Sequence, residues 1–254
     1  MRSYLQHREA SAIEQYEINS PNQPVPNSEE AHNTIRAWHT VDGLPKQIAQ
    51  FESVFWEPDD TNSLRKWLTD EASVNGARIL EVGTGTGLVA IYASLAGASE
   101  VVATDVNASA VANARYNAMH LDITGIDFRL VATRRLPSGE LEQPGPYTSL
   151  RPGERFDFIL SNPPWEDNTV EDVAAYALYD TNFALLDGLL NQSQEYLRPG
   201  GQLLLAYGAT EAIKRITQTA PDAGWSVEIL DDRELEELPE VFLPAMLLRL
   251  QRTE

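Results

Sequence analysis

From residue 77 onward the sequence predicts an α/β fold, a three-layer, doubly wound, mostly parallel sheet with helices on both faces. Three observations carry this. Short apolar runs alternate with stretches at helical spacing, the pattern of strands joined by crossover helices. The runs are rich in Val, Ile and Leu without polar alternation, as expected of strands covered on both sides. A glycine-rich turn connects the first run directly to a helical stretch, as in open sheets that bind ligands at strand ends.

In order, strands are expected at ARILEV (77–82), EVVAT (100–104), DFRLV (127–131), FDFILS (156–161), QLLLAY (202–207), WSVEIL (225–230) and AMLLRLQ (245–251), which makes seven. Helices fall between them: from about Gly87 through LVAIYASLAG, over SAVANARYNAMH with Ser109 as its cap, a long one over about 170–197, and one over 210–220. Residues 1–52 lack the alternation. Pro21, Pro24 and Pro26 fix φ and remove backbone donors there, between two stretches of weak helical character, 3–16 and 28–39, the second opening on Ser28. The chain therefore divides into an N-terminal arm, 1–52, placed to cover the active site, and a domain over 53–254. Two segments interrupt the rhythm. The Pro- and Gly-rich insertion 134–155 is longer than a tight connection needs, and such loops are disproportionately functional. The acidic run 231–240 is a solvated segment or a docking surface for a basic partner.

The 254 residues carry 19 Lys and Arg against 38 Asp and Glu, a net charge of −19 that argues against broad binding to nucleic acid. With no cysteine, disulfides, thiolate metal sites and a cysteine nucleophile are excluded. The four histidines, His7, His32, His39 and His120, show no metal-ligand spacing, so no metal is expected. No apolar stretch approaches the roughly 18 to 20 residues that span a bilayer, and the first ten residues lack the apolar centre of a secretory signal. A cytoplasmic protein without a membrane partner is expected.

Glu81-Val82-Gly83-Thr84-Gly85-Thr86-Gly87 closes the first strand and opens a helix, so a ligand can approach the backbone closely. Asp105 closes the second strand, where its carboxylate can accept from two vicinal ribose hydroxyls. Together they point to a nucleoside-containing cofactor. The dinucleotide fingerprint would need glycine at position 88, which is Leu88, and Glu81 is unfavourable beside a pyrophosphate. S-adenosylmethionine, with its ammonium and sulfonium, suits this charge. The expected cofactor set read from these residues is Glu81, Gly83, Thr84, Gly85, Gly87, Asp105 and Val106.

ILEVGTGTG, Asp105 in VVATDVN and FDFILSNPPW resemble the class I S-adenosylmethionine-dependent methyltransferases, in particular the amino-methylating branch that includes the HemK-like glutamine methyltransferases of release factors. The resemblance covers roughly 53–254. It implies a seven-stranded Rossmann-like sheet whose last strand runs antiparallel. It also places Thr61, in VFWEPDDTNSL, and Asn162 near the cofactor. After DFRLV the chain reads Ala132-Thr133, departing from relatives that carry an acidic or amide residue there to touch adenine.

The fourth strand ends in Ser161-Asn162-Pro163-Pro164-Trp165, across the crevice from the glycine loop. Two prolines lock this exit. A planar NH2 group needs two acceptors, which the Asn162 side-chain oxygen and the Pro163 carbonyl can supply, while Trp165 offers a flat face for stacking. Accepting both protons returns electron density to a delocalised nitrogen. The catalytic set is therefore Asn162, Pro163, Pro164 and Trp165. The leading expectation is N-methylation of a planar amide or amino group on a protein glutamine, a nucleobase or a small molecule, with a protein or small molecule favoured over bulk nucleic acid by the charge. The alternatives are a non-catalytic cofactor-binding scaffold and, more distantly, a nicotinamide-dependent oxidoreductase.

Overall fold

The computed structural model of the protein describes residues 34–253 apart from 138, 140, 232 and 234–241. The expectations for 3–16, for the proline-rich arm and for most of the acidic run lie outside the described residues.

A hairpin of β1 (Ile35–His39) and β2 (Ile48–Phe51) comes first, then α1 (Asn62–Asp70). The core follows as β3 (Arg78–Val82), α2 (Leu88–Leu95), β4 (Glu100–Asp105), α3 (Ala108–His120), β5 (Ile126–Leu130), β6 (Phe156–Ser161), α4 (Ala184–Tyr196), β7 (Leu197–Ala209), α5 (Thr210–Thr219), β8 (Trp225–Ile229) and β9 (Phe242–Arg252). The seven core strands lie in the order β5-β4-β3-β6-β7-β9-β8. All are parallel except β9, which runs antiparallel to both its neighbours. The expected sheet, with its reversed last strand, is what the chain forms.

Both faces are buried, which is why the strands read as continuous apolar runs. Ile79 of β3 and Phe158 of β6 face one half of the core with α2 and α3, while Leu80 and Ile159 face the other with Leu186, Leu189 and Ile213 of α4 and α5. The connections leave β3 and β6 in opposite directions along the sheet, and this reversal opens a crevice at their carboxyl ends.

Three local expectations are corrected. Residues 35–39 of the expected helix 28–39 form β1, because IRAWH alternates half-buried and exposed side chains at a strand's period of two. The cap of α3 is Asn107, whose side chain accepts from the Ser109 amide, and Ser109 lies buried in the first turn. The long helix over 170–197 is broken: a 3-10 turn covers Val173–Ala177, and α4 starts only at Ala184. Asn182 and Phe183 adopt positive φ, and the buried Asp180 carboxylate accepts from the Leu185 and Leu186 amides, fixing the new start.

The insertion is anchored at several points. Buried Arg129 on β5 pairs bidentately with Glu154 and also holds Asp127. Buried Tyr147 bonds Ser193 of α4, and a Cβ on Gly188 would sit 2.9 Å from Pro146, so α4 packs directly on the loop. Residues 143–146 are thereby pressed against the crevice.

Candidate active site

The crevice is a cleft of about 1210 Å³ including its open mouth. It brings together ten of the residues singled out by sequence: Thr61, Glu81, Gly83, Thr84, Gly85, Asp105, Val106, Asn162, Pro163 and Pro164. The register pairs Val82 with Ser161, and the Ser161 hydroxyl donates to the Val82 carbonyl at 2.7 Å. The glycine loop and the Asn-Pro-Pro exit therefore leave the sheet side by side.

The glycine loop spends its amides internally. Gly83 and Thr84 donate to the Thr104 carbonyl, Gly87 donates to the Thr84 carbonyl, and Gly85 donates to an Asp105 carboxylate oxygen at 2.9 Å. With these four N–H groups taken, the loop is no nest for a pyrophosphate. The other Asp105 oxygen accepts from the Asn107 amide at 2.8 Å. The Val106 amide also bonds this carboxylate, and of its four lone-pair sites one remains for a ribose hydroxyl.

Glu81 is buried and accepts from the Thr84 hydroxyl at 2.7 Å. Burial pushes its carboxyl up to about 8, and the nearby Asp105 charge adds to this, against the bonds from Thr84 and the Ala90 amide. Asp105 is raised too, chiefly by burial. Among the described lining residues there is no Lys, Arg or His. The donor set fits a cationic ligand with ribose hydroxyls.

A pH dependence follows. Glu81 binds its proton more tightly in the folded state than at its ordinary 4.5, so its stabilising contribution is full below pH 4.5 and lost as pH rises through about 8. Glu81→Gln is expected to flatten the fall in melting temperature between pH 5 and 8 in the ligand-free protein, measured by thermal denaturation across that range. An unchanged slope would show that Glu81 does not titrate there.

Two expected residues are not in the lining. A Cβ on Gly87 would lie 2.8 Å from the Ala114 Cβ, so Gly87 with its φ of 84° lets α3 pack closely against the start of α2. Trp165 packs between the two halves of the core, and its indole N–H donates to the Asn162 side-chain oxygen at 3.2 Å. Trp165 is half-buried at the edge of the core, and its indole hydrogen bond orients the Asn162 oxygen.

Other features were not singled out in the sequence. Val54, Phe55 and Trp56, in the segment after β2, line the cleft, as do Gln143–Pro146 of the insertion and Tyr176. Asn113 and Asn117 of α3, both fully buried, hold the hairpin: Asn113 bonds Phe51 N–H and the Ala49 carbonyl, and Asn117 bonds Ala49 N–H and its carbonyl. Asn117 also donates to the Thr86 carbonyl of the glycine loop at 2.9 Å. Asn113→Leu and Asn117→Leu should each lower stability by about 1 to 3 kcal/mol, since buried partners are orphaned. Only Asn117→Leu should also weaken ligand binding at the loop, and calorimetry on both variants checks this.

This architecture is shared with known enzymes. A S-adenosylmethionine-dependent methyltransferase from Agrobacterium tumefaciens superposes with a TM-score of 0.56 at 17% identity, covering 86% of this chain and 70% of its own, a likeness of fold. Residues 73–239 match the family described as "Methyltransferase domain", and the chain belongs to that family. Among curated proteins it is 30% identical over 195 residues to the release factor glutamine methyltransferase of Shewanella oneidensis, covering 68% of this chain and 63% of that protein. It is 32% identical over 160 residues to the same-named enzyme of Salmonella typhimurium, covering 59% and 53%. The chain thus spans between about half and two thirds of these relatives. They bear out the resemblance carried by ILEVGTGTG and SNPPW. Among the described residues no helix is long and apolar enough to cross a membrane.

Proposed function

We propose that the protein is an S-adenosylmethionine-dependent N-methyltransferase acting on a planar amide nitrogen, with a protein glutamine as its acceptor and the cytoplasm as its site of action. The observation that carries this reading is that Asn162, Pro163 and Pro164 open into the same cleft as Glu81 and Asp105. S-adenosylmethionine supplies a methyl group on a sulfonium, an electrophile that needs an aligned nucleophile. Asp105 accepts from a ribose hydroxyl, and a cleft lined by the Glu81 and Asp105 carboxyl groups with no cationic side chain among its described lining suits a cation, whose own charge favours ionisation of Glu81 on binding. Asn162, its side-chain oxygen already oriented by the Trp165 N–H, retains a lone pair for one acceptor proton, and the Pro163 carbonyl takes the other. Fixing the nitrogen this way supplies orientation and stabilises the positive charge that develops on it. A cleft with carboxylates and no cationic side chain among its described lining disfavours phosphate-rich acceptors, which supports a protein substrate. The catalytic domain is read as 53–254, with the β1–β2 hairpin seated on its α3 through Asn113 and Asn117.

Titration calorimetry tests the cofactor half of this reading. S-adenosylmethionine and S-adenosylhomocysteine should bind, with NAD much weaker. Tight NAD binding with no binding of either would overturn it.

A further inference from the structure

We infer that Gln143, delivered by the 134–155 insertion, reads the amino edge of the cofactor's adenine and sets the enzyme's selectivity for that base. The inference rests on the cofactor proposed above. A purine seated in a cleft leaves its exocyclic amine and ring nitrogens unpaired unless the wall offers an acceptor and a donor side by side, and leaving them unpaired is costly. A side-chain amide has both, and Gln against adenine is a recurrent bidentate pair. The described lining residues include three side-chain amides, Asn107, Asn162 and Gln143: Asn107 caps α3 and bonds the Ser53 carbonyl, and Asn162 is held by Trp165. Gln143 is half-buried, and its side chain makes no hydrogen bond to another described residue.

Its placement is built. The preceding residue, Glu142, is fixed by five bonds: its amide donates to the Arg134 carbonyl, its carbonyl accepts from the Thr133 hydroxyl at 2.7 Å and from the Tyr176 hydroxyl at 2.8 Å, and its carboxylate accepts two bonds from Arg134. Thr133 lies three residues past the end of β5, the strand next to β4 and Asp105. Val106, next to Asp105, and Val131, next to the end of β5, line the same cleft as Gln143, so a base on a ribose held by Asp105 would meet this wall. The insertion supplies the amide that Ala132-Thr133 lacks.

The test measures, by calorimetry, S-adenosylhomocysteine against its analogue lacking the 6-amino group, for the wild type and for Gln143→Leu and Gln143→Glu. The wild type should prefer the amino form by about 5- to 150-fold, the range of one bidentate amide–base pair. Gln143→Leu should abolish the preference, and Gln143→Glu, which keeps the acceptor, should recover part of it. A variant that binds both ligands equally more weakly, with the preference intact, overturns the inference and leaves the cofactor reading standing. Failure of the wild type to bind S-adenosylhomocysteine overturns both.

Discussion

Asn162→Ala is expected to lower kcat by about 10²- to 10³-fold, the usual cost of removing one positioned group that stabilises developing charge. Cofactor affinity should change far less, because Asp105 and Glu81 are untouched. Asn162→Asp keeps an acceptor for the Trp165 N–H and for the substrate and should retain part of the activity. Trp165→Phe gives an intermediate loss, since the ring still fills the core boundary while the oxygen of Asn162 loses its brace. Rates from single-turnover assays, with melting temperatures for each variant, separate these effects. Full turnover by Asn162→Ala would mean that the motif is only a rigid strand exit.

Asp105→Ala should weaken cofactor binding roughly 10- to 150-fold, the equivalent of about 1.5 to 3 kcal/mol for bonds to a charged group. Two contributions are lost together. The ribose loses its acceptor, and the Gly85 and Asn107 amides lose the carboxylate that ties the glycine loop to the start of α3. Asp105→Asn keeps one acceptor oxygen but places an NH2 toward a backbone N–H, so it should fall between Ala and the wild type. Calorimetry with S-adenosylhomocysteine gives the order directly, and equal affinity for all three proteins would contradict the ribose role.

What the sequence revealed follows the reach of its physical signals. Strands β3, β4 and β6 are legible because burial on both faces leaves unbroken apolar runs, and glycine after β3 and proline after β6 mark ends where ligand chemistry needs unusual backbone. The same punctuation marks the Glu81–Gly85 loop and Asn162–Pro164, which line one cleft with Asp105. Features that depend on distant partners were not legible. The β1–β2 hairpin is fastened by Asn113 and Asn117, more than sixty residues away along the chain. The break before α4 depends on Asp180 turning inward to cap a helix five residues on. Trp165 was identified as part of the site, but which way an indole turns from a strand exit is decided by the core behind it. The insertion stood out as a loop, yet the choice of Gln143 within it comes from the clamp on Glu142.

The central claim, methyl transfer to a protein amide nitrogen, is tested most directly by incubating the purified protein with methyl-labelled S-adenosylmethionine and a cell extract, then separating protein, nucleic acid and small molecules. The account predicts label in the protein fraction that appears as N5-methylglutamine after complete proteolysis, and its disappearance with Asn162→Ala. Label confined to nucleic acid or to a small molecule would contradict it.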